Sequence, residues 1–275
     1  MAESTSGVGP IPPILLVGCG RMGGAMLSGW RQQGLANSVA VDPAASAASF
    51  ASADLTVVSD PSQIPDRFAP AAVVLAVKPQ NAATTLPEYA RFAATTVFLS
   101  IMAGRTIVGI GALLGAGAAI VRAMPNTPAA VRQGVTVCCP SPKVSIPQKS
   151  LCDRLLQAIG KVAWIEDEAL LDPVTAVSGS GPAYVFLLAE LMEQAAIEHG
   201  IPTDLARLLA RQTVAGAGAL LAASPDDPSA LRVAVTSPGG TTAEALSVLM
   251  NPDAWPIAVS QAIAAATRRS RQLAG

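Results

Sequence analysis

Four consecutive apolar residues, Ile14-Leu15-Leu16-Val17, run without a break into Gly18-x-Gly20-x-x-Gly23. A strand that is apolar at every position is expected to be buried on both faces, as in a sheet covered by helices on each side. The glycines then allow a tight turn into a helix whose first amides stay open to an anion. The junction therefore reads as the start of a βαβ unit. The rhythm continues downstream. A helical stretch to about Gln33 ends on Gly34, where a glycine cap belongs. Strands are expected at Val39–Val41, Leu55–Val58, Ala72–Val77, Val97–Ser100 and Ala119–Val121, with helices between them. Gly134–Cys138 and Lys161–Ile165 are expected to add edge strands. Alternation of this kind predicts an α/β fold with a doubly wound, mostly parallel sheet.

After about Glu166 the strand-like runs stop. Long Ala/Leu-rich segments take over at Pro182–Glu198, Asp204–Ala223 and Ala254–Leu273, with shorter helical pieces at Pro228–Val235 and Thr242–Met250. The domain reading is therefore a disordered tail at 1–13, a dinucleotide-binding domain at 14–166 and a helical domain at 167–275. Leu205–Ala223 is apolar on nearly every face, and a helix apolar all round must be buried, here against another subunit. That expectation gives a meaning to the composition, which is 51% hydrophobic and only 13% charged. A net charge of −1 with no basic stripe argues against a nucleic-acid partner. The uncharged run Thr106–Val121 is 16 residues long and broken by Gly109, Gly111, Gly115 and Gly117, short of the roughly 20 apolar residues that span a bilayer. The tail lacks the basic and apolar regions of a signal peptide. A cytoplasmic protein is expected, with its excess apolar surface between subunits and not in lipid.

Cys19, Cys138, Cys139 and Cys152 form no metal-binding spacing, and His199 is the only histidine. No metal site and no Ser–His–Asp triad is expected. The candidate chemistry lies elsewhere. The loop Gly18, Cys19, Gly20, Arg21, Met22, Gly23 should cradle a pyrophosphate. Asp42 follows Gly23 by 19 residues, at the end of the second strand, where an acid holds the adenosine ribose. A carboxylate there also repels a 2′-phosphate, and no Arg or Lys lies between Pro43 and Gln63, which leaves NADH open beside NADPH. Capping of the following segment by Asp42-Pro43 is the equally weighted alternative. Ala76-Val77-Lys78-Pro79-Gln80 and Ile101-Met102-Ala103-Gly104 end two further strands, where ligands sit in open α/β sheets. Arg122-Ala123-Met124-Pro125-Asn126-Thr127-Pro128 makes a rigid turn. Val177-Ser178-Gly179-Ser180-Gly181-Pro182 and Val235-Thr236-Ser237-Pro238-Gly239-Gly240-Thr241-Thr242 are small-residue loops that feed helices and can offer amides and hydroxyls to a carboxylate.

In this order and spacing, GCGRMG, AVKPQ, RAMPNTP, SGSGPAY and VTSPGGTTAEAL resemble the Δ1-pyrroline-5-carboxylate reductases. The likeness covers nearly the whole chain from Ile14. It implies a Rossmann-type domain followed by an all-helical C-terminal dimerisation domain, dimers that assemble further, and reduction of 1-pyrroline-5-carboxylate to L-proline with NADPH or NADH. It places cofactor contacts on Gly18–Gly23, Ala76, Val77, Lys78 and Ala103. Substrate contacts fall on Glu168, Gly240, Thr241, Thr242 and the neighbourhood of Ser178. The acid at Asp42 departs from members that favour NADPH.

The residues also bear on the reaction type. The four lysines, at 78, 143, 149 and 161, all precede the helical half. Carbonyl reduction needs a proton donor such as Lys or His at the carbinol oxygen. A cyclic imine can arrive already protonated, so an active site of hydroxyls and amides suffices. The expected arrangement puts the nicotinamide near Ala103 and Met124–Asn126. The substrate carboxylate then lies on the Gly240–Thr242 amides and its nitrogen near the Thr242 hydroxyl. Ser178 and Ser237 shape the pocket, and Glu168 holds either the cationic nitrogen or the loop. The competing readings are a related imine reductase, a β-hydroxyacid dehydrogenase, or a dinucleotide-binding regulatory protein without catalysis.

Overall fold

A computed structural model describes residues 9–274, with the side chain of the last of these left out. The elements are β1 (Ile14–Val17), α1 (Arg21–Gln32), β2 (Ser38–Val41), β3 (Leu55–Val58), β4 (Ala72–Leu75), α2 (Ala82–Thr85), β5 (Val97–Ser100), α3 (Ile107–Leu114), β6 (Ala119–Met124), β7 (Gly134–Pro140), α4 (Ile146–Gln157) and β8 (Gly160–Trp164). Helices follow: α5 (Leu171–Val174), α6 (Gly181–Glu198), α7 (Thr203–Ala223), α8 (Pro228–Ala234), α9 (Thr241–Leu249) and α10 (Trp255–Ala274). The fold is α/β, with an N-terminal sheet and a C-terminal helical domain. Among the described residues, eight strands run in the order β3-β2-β1-β4-β5-β6-β7-β8. Only the β6–β7 pair is antiparallel. The strand expected at Gly134–Cys138 is therefore internal, and the edges are β3 and β8.

The continuous apolar strands divide their residues between two cores. Ile14 and Leu16 face one layer with Met26, Leu27, Trp30 and Leu155. Leu15 and Val17 face the other with Tyr89, Phe98 and Ile110. Successive strand residues point to opposite faces, so each β1 residue finds a hydrophobic neighbour. The Trp30 indole N–H donates to the Leu155 carbonyl at 2.8 Å, which lets a large aromatic be buried without an unmatched donor.

Three local expectations change. The helix expected after Asp42 is a 3-10 segment, Ala45–Phe50. The strand expected to reach Val77 ends at Leu75, which frees residues 76–78 to line the cleft at the strand ends. The tail expected at 1–13 lies outside the described residues over 1–8. Beyond them the chain is held: Ile11 is fully buried, its amide donates to Gly34 O at 2.8 Å, and its carbonyl accepts from Ala36 N at 2.8 Å. An apolar residue beside the glycine cap of α1 has a core to enter.

The chain divides into two compact units. The first runs through Gly179 and takes the chain up again from Thr267, and the second is Ser180–Ala266. In the second unit α6 and α7 pack as an antiparallel pair, with Ala206 and Ala210 buried on α7. Large side chains stay uncovered: Phe186 is 66% exposed and Leu208 60%. An apolar groove of about 360 Å³ runs between Tyr184, Leu187 and Leu191 of α6 and Trp255, Val259 and Ala262 of α10. The helical run Glu168–Glu198 is long and apolar enough to cross a membrane by length and composition alone.

Candidate active site

The first site is the cleft at the C-terminal ends of β1 to β4. Gly18 leaves β1 with φ +97, and a Cβ there would lie 2.8 Å from the Ala76 carbonyl oxygen. A Cβ on Gly23 would collide with the Gly18 carbonyl. Both glycines are thus required by the close approach of the turn, α1 and β4. Around Gly20 the space is open, with nothing within 4 Å of a built Cβ. Gly20 is the N-cap of α1 and brings no side-chain cap, so the first-turn amides face that space. This is a cradle of the shape and polarity that a dinucleotide pyrophosphate needs.

The cleft has a volume of about 600 Å³ and is lined by Gly18, Gly20, Asp42, Ala76, Val77 and Lys78 among others. Asp42 serves the turn directly. Its Oδ2 accepts from Cys19 N at 2.6 Å, and its Oδ1 accepts from Ala44 N at 2.8 Å. The carboxylate thus ties the glycine loop to the segment after β2 and lines the cleft, while the 3-10 segment that follows is N-capped by Ala44 without a side-chain cap. Burial and the Asp42 charge push the Cys19 thiol up to about 11. Cys19 contributes its amide, and its thiol stays neutral. Sequence reasoning missed Ser59, Asp60, Glu88 and Tyr89, which also line this cleft. Ser59-Asp60-Pro61 follows β3 as Asp42-Pro43 follows β2, and that parallel was a readable signal.

Ala103 is exposed on the loop after β5. The loop is tied on three sides. Arg105 Nε donates to Pro79 O at 2.9 Å, linking it to the loop after β4. Gly104, at φ +68, lies against the Leu273 carbonyl, 3.0 Å from a built Cβ. Glu168 Oε1 accepts both Ile107 N at 2.8 Å and Arg122 Nη1 at 2.9 Å. The Glu168 carboxylate thus binds buried Arg122 to the first turn of α3. Asn126 is spent similarly: Nδ2 donates to Ser178 O at 3.1 Å and Oδ1 accepts from Val135 N at 2.9 Å. It ties the turn after β6 to the π-helical turn Thr175–Gly179. The Ser178 hydroxyl donates back to Val174 O at 3.0 Å.

The helical unit carries the other loop. Gly239, at φ +68, turns the chain, and Gly240 N donates to Ser237 O at 3.0 Å. Gly240 is the N-cap of α9, without a side-chain cap, so Thr241 and Thr242 open the helix with their amides directed away from it. Thr242 is half-buried, whereas Ser237 is exposed. His199 is the exposed C-cap of α6.

The pyrroline-5-carboxylate reductase dimerisation family matches residues 168–273. The family of NADP oxidoreductases described as coenzyme F420-dependent matches residues 13–104. The pyrroline-5-carboxylate reductase of Pseudomonas aeruginosa is 37% identical over 96% of this chain and 97% of its own. The chain belongs to the pyrroline-5-carboxylate reductase family. A solved pyrroline-5-carboxylate reductase from Coxiella burnetii superposes with a TM-score of 0.89 at 32% identity, over 96% of this chain and 99% of that one. The Plasmodium falciparum pyrroline carboxylate reductase, solved with NADP bound, gives 0.81 at 26% identity, over 97% and 100%. This chain is accordingly an NAD(P)-dependent oxidoreductase of proline biosynthesis with pyrroline-5-carboxylate reductase activity. Its reductase dimerisation domain implies self-association.

Proposed function

We propose that this reductase works with NADH in preference to NADPH, and that its residues divide the reaction between two loops. The observation that carries the coenzyme reading is the charge of the cleft. Asp42, Asp60 and Glu88 line it, and Lys78 is the one cation among the described residues that do. A ribose 2′-hydroxyl can donate to a carboxylate, whereas a 2′-phosphate there would face like charge. Gly18, Gly20, Arg21, Met22 and Gly23 receive the pyrophosphate, and Ala76, Val77, Lys78 and Ala103 border the rest of the dinucleotide. When bound, the reduced nicotinamide supplies a hydride.

The Gly240, Thr241 and Thr242 amides hold the substrate carboxylate, and the Thr242 hydroxyl orients the ring nitrogen. Ser237 belongs to that same loop, Asn126 sets the Ser178 turn, and Glu168 acts by holding the loop that bears Ala103. The iminium carbon gains the hydride, the C=N π pair becomes the nitrogen lone pair, and the nitrogen keeps its proton. No lysine in the helical half is needed for that balance. The residues' main contribution is orientation, worth up to roughly 7–11 kcal/mol for well-aligned groups. Residues 14–166 form the dinucleotide-binding domain and 167–275 the substrate and dimerisation domain of a cytoplasmic enzyme whose dimers assemble further. The deciding experiment is a pyrroline-5-carboxylate assay run side by side with the two coenzymes. A kcat/KM at least ten-fold higher with NADH is expected, and a clear NADPH preference would overturn the reading of the cleft.

A further inference from the structure

The cleft contains a polar atom that the fold leaves unmatched. Tyr89 lies on the 3-10 segment Leu86–Phe92, after α2, and is 0% exposed. Its ring belongs to the apolar layer that includes Val73 and Phe98. Its hydroxyl is shut from solvent and has no hydrogen-bond partner. Buried hydroxyls are nearly always matched, because a lost partner leaves the desolvation uncompensated. A phenylalanine would fill the same layer without that cost.

No carboxylate of the cleft is hydrogen-bonded to the Tyr89 hydroxyl. Asp60 Oδ1 accepts from Ser62 N at 2.8 Å and Ser62 Oγ at 2.6 Å. Both Asp42 oxygens are held by backbone amides. The charges of Glu88 and Asp60 bear on the Tyr89 hydroxyl, and with burial as the larger cause they raise its pKa. The group is therefore a neutral donor at physiological pH, and an acceptor from outside the chain can supply the partner it lacks. Tyr89 lines the same cleft as Gly18, Asp42 and Ser59. Adenosine carries acceptors in its purine nitrogens and ribose oxygens.

We infer that the Tyr89 hydroxyl is a recognition group for the adenosine half of the dinucleotide, donating a hydrogen bond that only the bound coenzyme satisfies. The inference rests on the dinucleotide reading of the cleft and adds a residue to it. It also predicts an inversion of the usual stability effect, since the hydroxyl burdens the free protein and serves the complex.

The test is Tyr89→Phe, followed by calorimetric titration with NADH, NADPH, ADP-ribose and nicotinamide mononucleotide, and by thermal unfolding without ligand. NADH, NADPH and ADP-ribose should each bind about five-fold more weakly, as one net hydrogen bond implies. Affinity for nicotinamide mononucleotide should not change, and the Tm of the free protein should stay level or rise. Unchanged ADP-ribose affinity, or weakening confined to NADPH, would overturn the assignment. So would a lower Tm in the free variant, which would mark the hydroxyl as structural. If the wild-type protein bound neither dinucleotide, the cofactor reading would fail together with this one. Wild-type binding with an indifferent variant would sink only the role of Tyr89.

Discussion

Leu99 in β5 and Leu191 in α6 are the same residue in regular elements of one chain, yet the first is 0% exposed and the second 52%. The contrast holds across the two units. Every strand from β1 to β6 finds hydrophobic cover from helices of its own chain. In the second unit only Ala206 and Ala210 are buried among the described residues, and the groove along α6 and α10 stays open. Small residues let α6 and α7 approach, but they leave the large side chains pointing away. One core is completed within the chain, whereas the helices of the dimerisation domain leave theirs open. If a second copy covers them, the stability of the first unit is a property of the single chain and that of the second depends on concentration.

The largest effect should come from breaking the second core alone. Leu191→Asp sets a carboxylate in the apolar groove, where cover by a second copy would leave an unpaired buried charge at a cost of several kcal/mol. Light scattering after gel filtration should show loss of the wild-type mass, with the change growing on dilution. Leu99→Ala should instead cost about 2–5 kcal/mol at any protein concentration. If Leu191→Asp kept the wild-type mass and solubility, the groove would not be a subunit contact and the contrast would collapse.

The same division should appear in catalysis. Thr242 sits in the helical unit, whereas the glycine cradle sits in the sheet unit. Thr242→Ala should cut kcat about 100-fold, in the range of a lost orienting group, and leave the Kd of NADH within two-fold. Stopped-flow turnover and a direct NADH titration separate the two readouts. Unchanged turnover would remove Thr242 from the reaction.

These contrasts were unevenly legible beforehand. Continuous apolar runs such as Ile14–Val17 announced strands buried on both faces, and the glycine spacing placed the cradle. The antiparallel, internal place of β7 was not readable, because strand order depends on which edges meet in space. Site residues split the same way. Gly18, Asp42 and Lys78 each follow a parallel strand, where open sheets hold ligands, and all three line one cleft. Tyr89 and Glu88 reach the cleft only because the segment after β4 folds back over it. Asn126 was expected beside the nicotinamide, and the family resemblance placed Glu168 at the substrate. In three dimensions their hydrogen bonds go to distant parts of the same unit, at Ser178, Val135, Arg122 and Ile107.

Glu168 offers the finest test of whether a polar residue near the site works on the ligand or on the fold. Its side chain is 25% exposed and its Arg122 partner 7%, so the pair is partly screened on the acid's side. Glu168→Gln keeps an acceptor for the Ile107 amide but leaves the buried guanidinium without an anion. A loss at the low end for a broken buried pair, about 1–3 kcal/mol, should lower Tm by roughly 3–8 °C. The loop bearing Ala103 should loosen with it, raising the Kd of NADH a few-fold at nearly constant KM for pyrroline-5-carboxylate. The double change Glu168→Gln with Arg122→Met removes both charges and should restore most of the Tm, as replacement of buried ion pairs by apolar groups commonly does. The opposite pattern, an unaltered Tm with a raised substrate KM that the double variant does not rescue, would show that the carboxylate meets the substrate. That result would move Glu168 from the frame of the sheet unit to the chemistry itself.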